Sequence, residues 1–268
     1  MSNLYAYPLD SSPYEFKSTN KAQKVPDDVF PGEKALLVPD GFLTPGDRTG
    51  NVYLMLLEND DITGVKKTIK LAEDIEDYWY HKGHWVDMNG DGLKDLLIPR
   101  SNYQPGGGRL IWLENPGETA LSDDKPWKEH MICEGPGVET SIDFLPQYPN
   151  EVIVWAAIAR DEKLGFYRVS TVDGTLVDSR IIIEDRGRMK SVQTVDLNGD
   201  GQKQILFNNY EYSASDNGIW ASTIPDDLMT GDFNIYNIAL GFQSSWWYAF
   251  NRISAPGYPR IFYPDGQK

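Results

Sequence analysis

The chain has 268 residues, of which 40% are hydrophobic, and it carries a formal net charge of −15. That charge repels phosphate backbones and anionic lipids, which argues against nucleic acid and membranes as partners. The single cysteine, Cys133, excludes an intrachain disulfide. The sequence shows neither a signal peptide nor an apolar stretch of about 20 residues. We therefore expect a cytoplasmic location, with export by an unconventional route left open.

A short apolar segment recurs five times, at spacings of 52 to 60 residues, with copies that begin at Lys34, Lys94, Glu151, Lys203 and Pro259. Each copy is too short for a core helix and is bounded by turn-forming residues, which predicts a buried strand. A near-constant spacing of this size indicates that the chain is built from repeated structural units.

Other strand-like segments surround each copy. The chain opens with short predicted strands at residues 4–7 and 14–17. The first repeat has a weak strand within 24–30 and strands at 34–39, 51–57 and 66–71. The second has strands at 84–87, 94–99, 109–113 and 127–132, and the third at 151–156, 163–168 and 177–183. The fourth has strands at 191–196, 203–208, 218–222 and 233–238, and the fifth at 245–250 and 259–264.

Four strands per repeat predict the blades of a β-propeller. We therefore expect an all-β, five-bladed propeller with four-stranded blades that forms a single domain over residues 1–268. The fifth repeat has two strands only, so the N-terminal strands would share its blade and close the ring. Closure of this kind removes exposed sheet edges. An open sandwich with accidental internal similarity is the alternative.

Two repeats carry an acidic loop between their first and second strands. The first acidic loop, residues 87–95, and the second acidic loop, residues 196–204, share the pattern Asp-x-Asn-Gly-Asp-Gly. Calcium prefers oxygen ligands, and side chains at alternate positions would face one side of a tight loop. The predicted ligands are Asp87, Asn89, Asp91, the carbonyl of Leu93 and Asp95 in the first loop, and Asp196, Asn198, Asp200, the carbonyl of Gln202 and Gln204 in the second.

The two predicted calcium sites differ in their last ligand. Gln204 offers a neutral amide where the first loop has Asp95, so we expect the second site to bind more weakly or to recruit water. We expect both ions to be structural, because each loop has enough carboxylates to saturate an ion and no adjacent base. A turn without metal is the alternative. The twelfth loop position is Ile98 or Phe207 rather than Glu, which excludes an EF-hand.

These residues resemble the FG-GAP/VCBS family of calcium-binding β-propellers. The stretch from Gly83 to Ile98, continued at 112–117, carries the resemblance most clearly, whereas the loops of the other three repeats depart from the pattern. The resemblance implies a propeller and calcium. It does not imply one activity, because the family includes adhesion modules, fungal lectins, sugar lyases and biosynthetic cyclases, among them hetero-Diels–Alderase-like proteins.

A ligand pocket at the axis of a propeller would be formed by the first strands and the loops that precede them. Two such segments, 77–85 and 244–250, are rich in aromatic residues, which suit a sugar ring or a planar organic molecule. The predicted substrate-binding residues are Tyr80, Trp85, Arg188, Trp246, Trp247 and Tyr248. Packing between blades is the alternative role for these aromatic side chains.

His84, Lys190 and Arg252 are the predicted catalytic residues, because an imidazole titrates near neutral pH and a cation could polarise a carbonyl group. The sequence contains no nucleophile motif, phosphate loop or dinucleotide fingerprint. These features favour a lyase or cyclase that binds a small organic substrate and works without a redox cofactor. A carbohydrate-binding lectin is the alternative. The sequence does not predict an oligomeric state.

Overall fold

The computed structural model describes residues 19, 21–41, 49–58, 64–102, 104, 106–137, 139–159, 161–210, 217–242 and 259. These residues form 17 β-strands and one short 3-10 helix, and they contain no α-helix. In this part of the chain, no helix is long and apolar enough to cross a bilayer. The chain divides into two compact units, which are described separately: Met1–Tyr103 with Leu110–Met131, and Gln104–Arg109 with Ile132–Lys268.

The first unit holds the first sheet and most of the second sheet. The first sheet contains β1 (Gln23–Lys24), β2 (Lys34–Pro39), β3 (Val52–Leu57) and β4 (Val65–Lys70), hydrogen-bonded in chain order. The second sheet contains β5 (Trp79–Tyr80), β6 (His84–Val86), β7 (Asp95–Ser101), β8 (Arg109–Glu114) and, after the 3-10 helix Gly117–Thr119, β9 (Lys128–Glu134). Neighbouring strands are antiparallel, as short turns between successive strands require.

Strands β5 and β6 lie in line along the same edge of β7, so the second sheet has four strand positions. Tyr80 pairs with Arg100, and His84 pairs with Leu97. Between these two pairs, the edge has three residues (81–83) and β7 has two (98 and 99). The edge therefore contains a bulge of one extra residue. Pro99 of β7 lies opposite this bulge and has no N–H to donate, which fits an interruption of the ladder at this point.

The second unit holds the third and fourth sheets. The third contains β10 (Glu139–Asp143), β11 (Glu151–Ile158), β12 (Lys163–Ser170) and β13 (Leu176–Ile183) in chain order. The fourth contains β14 (Arg188–Val195), β15 (Gln204–Tyr210), β16 (Gly218–Thr223) and β17 (Ile235–Leu240) in the same order. All pairs are antiparallel.

Each unit buries an apolar core between two consecutive sheets. In the first unit, Leu37 and Leu54 pack in one cluster with Ile98 and Ile111 of the next sheet. In the second unit, Trp155 and Phe166 share a cluster with residues of β14 and β15, and β14 packs against β10 and β11. The second strands of the second and third sheets, β7 and β11, are apolar runs that are buried on both faces, which requires cover on both sides.

The first two sheets pack tightly at Gly83. A Cβ atom at this position would lie 2.6 Å from a methyl of Leu96 and 2.7 Å from a methyl of Leu37. The Gln23 side chain also joins the two sheets here, because Gly83 N donates to Gln23 Oε1 at 3.0 Å and Gln23 Nε2 donates to Gly83 O at 3.2 Å. A side chain at this position would therefore force the side chains of Leu37 and Leu96 to shift.

The structure confirms the predicted all-β class and the predicted four-stranded antiparallel sheets. It describes four such sheets, and the predicted number of five blades stays a prediction. The predicted strands at 4–7, 14–17 and 245–250, which would build and close the fifth blade, lie outside the described residues, as does all but Pro259 of the strand at 259–264. The single-domain extent of 1–268 also stays a prediction.

Candidate functional site

The first acidic loop joins β6 to β7 and folds around the carboxylate of Asp87. Gly90 and Gly92 adopt φ angles of +76° and +86°, values that other residues rarely adopt. Their N–H groups donate to the two oxygens of Asp87, Gly90 N to Oδ1 at 2.7 Å and Gly92 N to Oδ2 at 2.9 Å. The glycines therefore allow the backbone to wrap one carboxylate at the corner between two strands.

Asp95 closes the first acidic loop from the first position of β7. Its side chain is fully buried and accepts hydrogen bonds from Met88 N and Asn115 N, each at 2.8 Å. Burial raises the pKa of Asp95 to about 6; the two N–H groups oppose this shift, and the negative charges of Asp91 and Asp87 add to it. Sequence reasoning missed Asn115, which lies 20 residues further along the chain and shows no motif of its own.

The remaining side chains of the first acidic loop are also turned toward N–H groups. Leu93 N donates to Asp91 Oδ1 at 2.8 Å, and Asn89 Nδ2 donates to Asp91 Oδ2 at 3.1 Å. As they stand, no three His, Cys, Asp or Glu side chains among the described residues are gathered closely enough to hold a metal ion. The one basic residue of this loop, Lys94, forms an ion pair with Asp28 at 2.6 Å rather than with the aspartates of the loop.

The donor set of the first acidic loop suits calcium in its chemistry. Three carboxylates, one amide oxygen and a backbone carbonyl are all hard oxygen donors, the kind that Ca²⁺ prefers. The carboxylates are close enough for their charges to act on Asp95, and none of them forms an ion pair within the described part of the chain. Holding an ion would require Asp87 and Asp91 to turn an oxygen from the backbone toward the loop interior.

The second acidic loop joins β14 to β15 and has nearly the same backbone. Gly199 and Gly201 have φ angles of +76° and +86°. Their N–H groups donate to Asp196 Oδ1 at 2.7 Å and to Asp196 Oδ2 at 2.8 Å, and Gln202 N donates to Asp200 Oδ1 at 2.8 Å. Each predicted ligand set thus lies within one loop, and the two loops share the glycine conformations and the hydrogen bonds from backbone N–H groups to their aspartates.

The predicted aromatic ligand residues occupy different environments. The half-buried indole of Trp85 packs edge-to-face against Phe30 at 5.8 Å and Trp127 at 6.1 Å between ring centroids, at the edge of the core of the first unit. Its observed contacts are therefore packing contacts, and its binding role stays a prediction.

The other predicted site residues that the structure describes lie on strands of both units. His84 is half-buried on β6. Lys190 and Arg188 lie on β14 in the second unit.

Four predicted ligand or catalytic residues lie outside the described residues. These are Trp246, Trp247, Tyr248 and Arg252.

Tyr80 belongs to a buried polar cluster that also contains Arg100, which sequence reasoning missed. The guanidinium of Arg100 is buried, donates to Glu129 Oε2 at 2.6 Å and lies over the ring of Tyr78 at 5.2 Å. Burial raises the pKa of Tyr80 to about 12, and the charge of Arg100 acts in the opposite direction. Within the described residues, the Tyr80 hydroxyl makes no hydrogen bond of normal geometry.

No protein-family model matches the chain, and no curated protein sequence matches it. Among solved structures, it is similar to a luciferin-regenerating enzyme, with a TM-score of 0.49 and 9% identity over 80% of this chain and 62% of that chain. It is also similar to the Dos1 propeller, with a TM-score of 0.49 and 10% identity over 88% of this chain and 53% of that chain. The chain thus spans less than two thirds of either structure, and likeness of this degree supports no conclusion about activity.

Proposed function

We propose that this chain is a calcium-stabilised β-propeller in which the first acidic loop holds the ion. The observation that carries this proposal is the buried carboxylate of Asp95, which lies near Asp87 and Asp91 and has no ion-pair partner among the described residues. Negative charge that is buried without compensation is costly. A divalent cation would offset that cost more fully than the surrounding N–H groups.

The side chains of Asp87, Asn89, Asp91 and Asp95 and the carbonyl of Leu93 would hold the ion. Ca²⁺ supplies a compact double positive charge and takes roughly six to eight oxygen ligands. The residues themselves fix the corner between β6 and β7, because Asp95 begins β7 and Asp87 follows β6 directly. We therefore assign the ion a structural role.

The buried polar cluster of Tyr80, Arg100 and Glu129 lies far from the first acidic loop, which supports a structural rather than a catalytic role for the ion. Asp95 is the first residue of β7, and Arg100 lies five residues further along the same strand. At about 3.3 Å per residue, the two lie about 17 Å apart at opposite ends of the sheet. An ion at the first acidic loop is therefore too far from Arg100 and Tyr80 to polarise a molecule bound beside them.

Calcium titration tests the proposed ion. We expect protein stripped with EDTA to bind Ca²⁺ in a calorimetric titration, and Asp87→Asn to weaken the affinity by at least about tenfold, because ligand charge sets the affinity of such loops. Asp226→Asn, an exposed acid outside both loops, is the matched control and should bind like wild type. Wild-type protein that binds no Ca²⁺ would contradict the proposal.

We also propose that five repeats form a closed propeller. Support comes from the four described sheets, which follow one another in chain order with the same strand order. Further support comes from Gln193 of β14, whose Nε2 donates to the carbonyl of Pro259 at 2.7 Å. Pro259 begins the fifth copy of the repeat, so that copy contacts the first strand of the fourth sheet.

For the activity, we propose binding of a small organic substrate and a lyase or cyclase reaction without a redox cofactor. The buried cluster of Tyr80, Arg100 and Glu129 supports it, because a buried guanidinium beside a phenol presents donor groups that suit a carbonyl oxygen. Sugar binding by a lectin is the alternative, favoured by the aromatic residues of 77–85 and 244–250.

A glycan array and a thermal-shift screen of planar carbonyl compounds separate the two activities. We expect stabilisation by carbonyl compounds, with no glycan retained on the array. The variants Tyr80→Phe, His84→Ala, Trp246→Ala and Arg252→Ala should each reduce the shift given by the best compound. If all four variants respond like wild type, the proposed site is wrong, and retention of one class of glycan would favour the lectin.

A further inference from the structure

The two acidic loops form a matched pair that differs at only one of the side chains predicted to bind an ion, the one at the ninth position. Their glycines have the same φ angles, +76° and +86°. Their first aspartates accept from the same two N–H groups at 2.7 to 2.9 Å. The aspartates at the fifth loop position, Asp91 and Asp200, each accept a hydrogen bond of 2.8 Å from the backbone N–H two residues later. The ninth position holds Asp95 in one loop and Gln204 in the other.

Gln204 makes two hydrogen bonds that together bridge its loop. Its Oε1 accepts from Leu197 N at 2.8 Å, which repeats the bond from Met88 N to Asp95 at the same loop position. Its Nε2 donates to the carbonyl oxygen of Gln202 at 2.8 Å. That carbonyl is the backbone ligand that the sequence pattern predicts for a metal ion.

The first acidic loop has no counterpart to the second of these bonds. Asp95 is a carboxylate and cannot donate to the equivalent carbonyl, that of Leu93. Among the described residues, no side chain donates to Leu93 O. Its oxygen therefore stays open to an ion, whereas the oxygen of Gln202 is already bound to an N–H.

We infer that the side-chain amide of Gln204 takes the place of the cation in the second acidic loop. This loop is then a corner that holds its shape without metal, and the chain takes up one calcium ion rather than two. The count of one rests on the proposed function of the first loop, whereas the metal-free character of the second loop does not.

The charges of the two loops agree with this inference. The first loop contributes three carboxylates and the second contributes two, Asp196 and Asp200. An amide N–H that stands where an ion would coordinate repels a cation by its partial positive charge. An ion would therefore have to break the bond from Gln204 to Gln202 before it could use that carbonyl.

Counting bound calcium tests the inference. In a calorimetric titration of EDTA-stripped protein, we expect one equivalent for wild type and one for Asp200→Asn, and none for Asp91→Asn, its matched partner in the first loop. Gln204→Asp, which copies the first loop, should gain a second equivalent. Two equivalents in wild type, a lower count in Asp200→Asn, or no gain in a folded Gln204→Asp protein would each overturn the inference.

Hydrogen exchange of the wild-type protein separates this inference from the proposed function. We expect the amides of Leu197 and Gly201 to keep their protection in EDTA, and to exchange at least about tenfold faster in Gln204→Ala. Loss of that protection in EDTA, or full protection in Gln204→Ala, would overturn the inference. A wild type that binds no calcium contradicts the proposed function. In that case, the exchange rates of these two amides alone test the inference about the second loop.

Discussion

Lys203 donates a hydrogen bond to Asp143 at 2.6 Å and so ties the second acidic loop to the end of β10 in the preceding sheet. Lys94 occupies the same position in the first acidic loop and pairs with Asp28 of the preceding repeat, also at 2.6 Å. The lysine at the eighth position of each loop thus joins two consecutive repeats. The two pairs differ in burial, because the Asp143 side chain is 3% exposed and that of Asp28 is 64% exposed.

We expect Lys203→Met to destabilise the protein by about 1–3 kcal/mol, because it leaves the carboxylate of Asp143 buried without a cation. Lys94→Met should change the stability by less than about 0.5 kcal/mol, since an exposed ion pair contributes little. Urea denaturation of the two variants checks both values. Equal losses would show that burial of Asp143 does not set the contribution of the pair.

Glu114 should contribute to stability at neutral pH and lose this contribution in acid. His130 Nε2 lies 2.6 Å from Glu114 Oε2 and Lys128 Nζ lies 3.1 Å from it, and these two partners lower the pKa of Glu114. Because the folded-state pKa is lowered, the stabilisation is complete above the unfolded-state value and disappears as the pH falls through the folded-state value.

The stability difference between wild type and Glu114→Gln, measured in urea from pH 7 to pH 3, tests this pH dependence. The difference should shrink as the pH falls below about 4.5. Glu118→Gln, an exposed glutamate on the 3-10 helix, is the control and should show no such trend. A difference that grows between about pH 4.5 and pH 3 would contradict the assigned direction.

Cys133 should react slowly with alkylating reagents in the folded protein. Burial raises the pKa of its thiol to about 12, so only about one thiol in 10⁴ is ionised at pH 8, and the thiolate is the reactive form. Iodoacetamide labelling followed by mass spectrometry measures the rate. We expect labelling to accelerate by orders of magnitude in denaturant, and rapid labelling of the native protein would contradict a raised thiol pKa.

Deletion of residues 1–18 tests ring closure. If the N-terminal strands complete the fifth blade, their loss exposes sheet edges, and we expect a large fall in melting temperature together with aggregation. Deletion of residues 265–268, which follow the last predicted strand, should have little effect. A truncated protein that melts like the full chain would show that these strands do not close the ring.

The strands were largely predictable because most of them are short apolar runs between turn formers. β2 (Lys34–Pro39) coincides with the predicted strand at 34–39, and β11 (Glu151–Ile158) extends the strand predicted at 151–156 by two residues. β10 (Glu139–Asp143) was missed, because its sequence Glu-Thr-Ser-Ile-Asp has no apolar run. Its two acids are nevertheless buried, so pairing with β11 outweighs composition.

The candidate sites were predictable only as far as local pattern reaches. The repeated Asp-x-Asn-Gly-Asp-Gly pattern identified both acidic loops, because their hydrogen bonds run between residues two to seven positions apart. Asn115 and Arg100 were not identified, because their partners Asp95 and Glu129 are brought to them by strand pairing rather than by spacing. The donor role of Gln204 also required coordinates, because an amide can accept, donate or coordinate.

The melting temperature in calcium and in EDTA tests the central claim most directly. Ca²⁺ at about 100 times its dissociation constant should stabilise the folded protein by about 2.7 kcal/mol, which corresponds to about 5–10 °C for a chain of this size. Asp87→Asn, whose affinity should be at least about tenfold weaker, should lose at least about half of this calcium-dependent shift. Superimposable wild-type melting curves in the two buffers would contradict a calcium ion at the first acidic loop.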